Sequence, residues 1–241
     1  MILYIDAAAG LSGDMLFSGF LDLGLPLSHV RRMLHHLGLS GIRMEATRIR
    51  REGTWVTRVS IQGKGDPSLF RSPRRLIRFV RGSKLSPSLK RSIARAVVTL
   101  AGAEGQVHHS SLEKTLFHQV GSVDTLVNFT GFCAGLQHFH IRAAYFSPIP
   151  LGCRYQDANG QWCSRPAPVT QRLLKKFPTY GLEEPFEWTT PTGAALVAAF
   201  GSVGQPPVFH VRGIGQAAGF KRPPRGPAVL RLFLGVPKSC A

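Results

Sequence analysis

Residues 2–5 form a short apolar, partly β-branched run that leads at once into Asp-Ala-Ala-Ala-Gly-Leu-Ser-Gly-Asp at 6–14, the pattern of a buried strand ending in a loop. Apolar positions then repeat with helical spacing over 15–23 and stop at Gly24, before Pro26, which predicts a first helix and its exit. Ser28 is placed to cap a second helix that runs through Leu37 and ends at Gly38. Residues 42–50 and 54–62 alternate with the period of strands, and Glu52-Gly53 supplies a tight turn between them. The first sixty residues therefore predict a compact β-α-α-β-β unit.

Gly, Pro, Asp and Ser dominate residues 63–72, which predicts a flexible surface loop. Two helices follow, over 73–81 and 87–102, each opening on a proline that costs little at a helix start. A short segment at 111–115 leads into 116–124, a long helix into 123–138, and a strand into 144–150. Pro166-Ala-Pro168 introduces a helix through Lys176, and residues 189–195 introduce another through Phe200. Strands at 208–215 and 228–234 close the chain. The expected fold class is α/β, with mixed sheets and packed helices, organised as 1–62, a basic segment at 63–104, and a second α/β lobe at 105–241 packed on the first.

With 241 residues, 44% of them hydrophobic, the chain is long enough to bury a core. It contains no uninterrupted apolar run of membrane-spanning length, and its N-terminus lacks the secretory pattern, so a cytoplasmic protein without a membrane is expected. Cys133, Cys153, Cys163 and Cys240 show no CxxC spacing and read as free thiols. Cys153 and Cys163 flank a predicted loop, where they would meet only if the fold brings them together.

Charge changes the picture more. Thirty Lys+Arg against thirteen Asp+Glu give a net charge of +17, which surrounds the molecule with positive potential and points to a polyanionic ligand or partner. Arg48, Arg50, Arg51 and Arg58 lie on the predicted hairpin, and Arg71, Arg74, Arg75, Arg78, Arg81, Lys84, Lys90, Arg91 and Arg95 crowd the central helices. Nucleic acid could bind there through phosphates alone; a solvated basic surface is the other reading.

Candidate chemistry concentrates on residues 6–14. Asp6 ends a strand and Ser12-Gly13-Asp14 begins a helix, so two carboxylates, a hydroxyl and glycine-flanked amides can converge. A helix N-terminus favours anions and paired carboxylates favour a metal. Equally, Ser12 or Asp14 can simply cap the helix while Asp6 holds the turn. Thr190, Thr192 and Gly193 begin another helix with the same pair of readings, phosphate binding or capping. His108, His109, His138 and His140 sit at helix ends, and Cys133 falls inside an apolar helix.

Tyr4-Ile-Asp-Ala-Ala-Ala-Gly-Leu-Ser-Gly-Asp-Met15 resembles the opening signature of the LarC-type nickel-insertion proteins. Similar motifs follow in the same order: Phe117-His118-Gln-Val-Gly-Ser-Val-Asp124, Ser147-Pro-Ile-Pro-Leu-Gly152, Arg165-Pro-Ala-Pro-Val-Thr170, Thr190-Pro-Thr-Gly-Ala-Ala-Leu196 and Leu230-Arg-Leu-Phe-Leu-Gly235. The resemblance implies a nickel chelatase of the lyase class that inserts nickel into a pyridinium-3,5-bisthiocarboxylic acid mononucleotide cofactor. Within these motifs, residue chemistry nominates Asp6, Asp14, His118 and Asp124 as metal residues, with Ser12, Gly13, Thr192 and Gly193 toward the anionic cofactor precursor.

Several polar positions depart from the family pattern. Leu116-Phe117-His118-Gln119 stands where His-Phe-His-Glu is usual, Asn128 where Asp is usual, and Asn159-Gly160 where His-Gly is usual. Each change replaces an imidazole or carboxylate by an amide, a weak donor, or by an aliphatic side chain, which is none. The chain stops soon after Gly235, where full-length members continue into a second domain that binds CTP, so the resemblance implies that CTP acts through a separate partner polypeptide. A non-catalytic metal-delivery subunit and a basic nucleic-acid-binding protein are the alternative expectations.

Overall fold

The computed structural model describes residues 1–63, 65–111, 114–117, 122–153, 155–156, 162–163, 166–202, 204–223 and 226–238, without the side chains of 155–156 and 162–163. The fold is α/β, with helices packed against a mixed seven-stranded sheet. Strand β1 (Ile2–Asp6) leads through the glycine loop to helix α1 (Gly13–Asp22), and helix α2 (Leu27–His36) and hairpin strands β2 (Arg43–Arg51) and β3 (Thr54–Gln62) follow. Glu52 (φ +49°) and Gly53 (φ +77°) make the hairpin turn, and the positive φ at both positions matches the twist of the paired strands.

Helices α3 (Pro67–Arg71), α4 (Pro73–Gly82), α5 (Pro87–Val107) and α6 (Val123–His138) come next, then β4 (Ala143–Phe146), β5 (Ile149–Leu151), β6 (Tyr155–Gln156) and β7 (Trp162–Cys163). Helix α7 (Pro168–Leu173), β8 (Thr179–Gly181), α8 (Pro191–Phe200), β9 (Gly201–Ser202), β10 (Phe209–Ala217) and β11 (Leu230–Pro237) complete the chain.

The sheet order is β2-β3-β10-β11-β1-β4-β9. The C-terminal antiparallel pair β10–β11 thus lies between β3 and β1, so the first five elements are joined into one sheet by the last two strands. Along β1, Leu3 and Ile5 are fully buried, and strand alternation turns Tyr4 and Asp6 to the opposite face. Helix α6 is apolar on nearly all sides because it is enclosed: α1, α2, α5 and α8 all pack on it. Helix α1 in turn lies on β3, β10 and β11.

The predicted boundaries shift in several places, such as α7, which ends at Leu173 and not Lys176, and four of the differences have a local cause. The loop expected at 63–72 contains α3, because Asp66 accepts from the Ser68 N–H at 2.8 Å and buried Phe70 anchors the turn. Helix α2 starts at Leu27 with Pro26 at its cap position and no side-chain cap, so Ser28 lies inside the helix instead. Helix α5 continues past Gly102 to Val107: burial of Leu100, Ala101 and Ala103 outweighs the roughly 1 kcal/mol that glycine costs in a helix interior. The strand expected at 144–150 is two strands, interrupted at Pro148, which has no N–H to give a ladder.

Candidate functional site

The glycine loop is held by hydrogen bonds from both ends. Gly10 N–H donates to Ala7 O at 2.8 Å, and the Ala7 N–H donates to Ser147 Oγ at 2.9 Å. Across the loop, Leu11 N–H donates to Trp188 O at 2.7 Å and Thr190 N–H donates to Leu11 O at 2.9 Å, tying the loop to the entry of α8. Gly10 has φ +87°, and a Cβ there would lie 2.2 Å from Trp188 O, so this junction requires glycine.

Ser12 caps α1, its Oγ accepting from Met15 N–H at 3.4 Å, and Thr190 caps α8, its Oγ1 accepting from Gly193 N–H at 3.2 Å. Gly13 and Gly193 let the two helix starts close on their neighbours. A Cβ on Gly13 would lie 2.7 Å from Thr192 Cγ2 and 2.9 Å from Asn128 Cβ, and one on Gly193 would lie 2.5 Å from Leu11 O.

Beside these helix starts is a cavity of about 510 Å³. Ser12 and Asp14 line it from α1, Asp124 and Asn128 from α6, Ser60 and Gln62 from β3, and Phe186, Glu187, Trp188, Phe220 and Lys221 from the segments before α8 and after β10. Burial, and then the charge of Asp14, hold the Asp124 carboxyl above the usual carboxylate range. The two carboxylates, from crossing helices, line the same cavity. Two buried polar atoms on the lining, Asn128 Oδ1 and Trp188 Nε1, have no hydrogen-bond partner among the described residues. Phe186 and Trp188 meet edge to face with ring centroids 5.2 Å apart, and Arg58 lies 4.7 Å above the Phe220 ring. The cavity thus combines a cluster of oxygen acceptors, an ammonium group, an indole donor and aromatic surface.

The structure brings together Ser12, Gly13, Asp14, Asp124, Thr192 and Gly193 of the residues singled out in sequence. It places Asp6 elsewhere. Asp6 is opposite Arg231 in the β1–β11 register and pairs with it at 3.2 Å, while its Oδ1 accepts from Ala8 N–H at 3.2 Å. His118, Gln119, Asn159 and Gly160 lie outside the described residues. Among the described residues no three His, Cys, Asp or Glu side chains are grouped to hold a metal.

The remaining candidates go to other tasks. His108 pairs with Glu104 at 3.4 Å, and His138 lies 6.1 Å, ring to ring, from His29. Burial, Arg32 and His138 together lower the His29 pKa. Cys133 is buried, and Cys153 donates to Glu183 O at 2.8 Å. The Cys163 side chain is outside the described residues. Trp188, Lys221, Phe186 and Phe220 were not foreseen, because they reach the cavity only through the long-range topology; the Asn128 departure from the family pattern was the one legible signal. Among the described residues, no helix is long and apolar enough to cross a membrane.

No solved structure matches the chain. Curated relatives do, each bearing a provisional nickel-insertion name. One from Geotalea daltonii is 37% identical over 97% of this chain and 60% of its own length. One from Geobacter sp. strain M21 is 36% identical over 97% and 61%, and one from Synechococcus sp. strain JA-3-3Ab is 32% identical over 97% and 60%. The chain thus spans about 60% of the length of these relatives. The motifs assembled around the cavity fall within a match to the family described as "Nickel insertion protein" that extends over residues 3–240, and the chain belongs to that family.

Proposed function

We propose that this chain handles nickel for insertion into an organic acceptor, a pyridinium-3,5-bisthiocarboxylic acid mononucleotide, and that the cavity between the starts of α1 and α6 is where ion and acceptor meet. The observation that carries the reading is that Asp14 and Asp124 share the wall of a cavity large enough for a small aromatic ligand. The carboxylates receive the ion. His118, six residues before Asp124 in the same motif, is kept in this proposal as a residue that passes the ion on. Lys221 and the Trp188 indole N–H suit the anionic groups of the acceptor, and Phe186, Trp188 and Phe220 suit its ring. Nickel is cargo in this scheme, the reaction draws on CTP, and it takes place in the cytoplasm.

The test is to incubate the purified chain with unmetallated precursor, nickel and CTP, with and without a CTP-binding partner, and to follow the metallated product by mass spectrometry. Product that is lost in Asp14→Asn is the expected result, and product formed only with the partner would identify a split enzyme. Product unaffected by Asp14→Asn sinks the assignment of the cavity.

One observation favours a second reading: no Asp or Glu occurs between residues 67 and 103, a stretch with nine Lys or Arg. A nucleic-acid-binding surface on α4 and α5 would show affinity for an unrelated RNA or DNA that falls steeply with salt.

A further inference from the structure

Asn128 follows Asp124 by four residues on α6, so the two side chains project from the same helix face. The α1–α6 crossing brings the Asn128 side chain against Gly13, next to Asp14 in sequence, and all three polar side chains line one cavity. Asn128 is only 7% exposed, and among the described residues its Oδ1 has no hydrogen-bond partner. A buried carbonyl oxygen without a donor costs about 1–3 kcal/mol. Its cavity neighbours on these helices are carboxylates, which only accept, and among the described residues neither Asp14 nor Asp124 has an ion-pair partner. Lys221, the ammonium on the cavity wall, forms no ion pair with either carboxylate among the described residues, so acceptors gathered in this way are satisfied together by a bound cation.

We propose that Asp14, Asp124 and Asn128 Oδ1 form an all-oxygen cradle for a hard divalent cation of the magnesium and manganese class, with Asn128 as its neutral third ligand. Oxygen donors suit such ions, whereas a site selecting nickel draws on imidazole or thiolate. The inference rests on the reading of the cavity as the place where ion and acceptor meet, and it deepens that reading. The cradle takes nickel as one divalent ion among several and holds it loosely enough to pass on. Selectivity for nickel then comes from softer donors on the acceptor.

The test is a Mn²⁺ titration of the full chain followed by electron paramagnetic resonance, with Mg²⁺ and Ni²⁺ as competitors. The variants are Asn128→Leu, which removes the oxygen at similar size, and Asn128→Asp, which adds a charge. The wild type is expected to bind one Mn²⁺ that both competitors displace. Asn128→Leu should weaken binding about tenfold, one ligand's worth of roughly 1.4 kcal/mol, and Asn128→Asp should tighten it. Thermal melts show whether Asn128→Leu is folded; losing an unsatisfied buried oxygen should leave it at least as stable as the wild type. Equal Mn²⁺ affinity in wild type and Asn128→Leu overturns the proposal, as does no gain in Asn128→Asp. Binding of Ni²⁺ without Mn²⁺ overturns the oxygen cradle and leaves the cavity reading standing. Binding of neither ion overturns both.

Discussion

Substituting Gly131 by alanine tests whether the α1–α6 crossing sets the spacing of the two carboxylates. A Cβ on Gly131 would lie 2.4, 2.5 and 2.7 Å from three atoms of the fully buried Phe17 ring, where unstrained carbon contacts are about 3.5–4.0 Å. One of the three is Cγ, the ring atom nearest the α1 backbone, so rotating the ring does not relieve the clash and the helices must move apart. Overpacking of this kind costs about 1–3 kcal/mol, and the upper end applies where no side chain can swing away. Replacing glycine by alanine inside a helix returns about 1 kcal/mol.

The net loss is about 2 kcal/mol, or roughly 4–8 °C in Tm for a chain of this size. Gly102 is the control, since it is also inside a helix but a Cβ there meets nothing within 4 Å. Gly102→Ala should raise stability by about 0.5–1 kcal/mol. Circular dichroism melts and urea titrations measure both. If Gly131→Ala proves as stable as Gly102→Ala, the close crossing is wrong. In the double variant Phe17→Leu with Gly131→Ala, the smaller side chain should recover part of the loss, so the two effects should be non-additive.

Asp22 ties the end of α1 to the sheet: its Oδ1 accepts from Thr57 Oγ1 at 2.5 Å and its Oδ2 from Gln216 N–H at 2.8 Å. Asp22→Ala should cost about 2 kcal/mol or more in urea titrations, whereas Arg231→Ala, which breaks a half-exposed ion pair with Asp6, should cost less than about 1 kcal/mol and leave ion binding in the cavity unchanged. Asp124 has a folded-state pKa raised by burial and by Asp14, so the stability it contributes is present below its unfolded pKa and is lost as pH rises through the folded one. In chelator, the Tm of Asp124→Asn should therefore exceed that of the wild type by an amount that grows from about pH 4 to neutrality; a gap that is constant with pH would contradict the assignment. Burial pushes the Cys133 thiol far above its usual range, so mass spectrometry after labelling with a thiol reagent should find Cys133 unmodified until the protein unfolds.

Local chemistry in the sequence was enough to read most elements. Ser12, the apolar spacing after it, and Gly24 before Pro26 mark α1 because caps and periodicity act over a few residues. What failed locally was decided by distant packing, as where α5 runs through Gly102. The sheet order was out of reach, since nothing in β1 or β3 announces that strands beginning at 209 and 230 will separate them. The site divides the same way. Asp14 and Asp124, which line the cavity, could be singled out because each opens a helix, and Asn128 because it departs from the family pattern. Asp6 was grouped with Asp14 by sequence proximity, yet the two-residue period of β1 turns it to the other face of the sheet, opposite Arg231. Trp188 and Lys221 carry no local mark of a cavity that closes only when the tertiary fold is complete.

An anomalous-difference map from a crystal soaked in nickel, recorded on both sides of the nickel absorption edge, tests the central claim most directly. The account predicts a peak in the cavity, between the carboxylates of Asp14 and Asp124 and within coordination distance of Asn128 Oδ1. A peak beside Asp6, or between His29 and His138, with the cavity empty would contradict it.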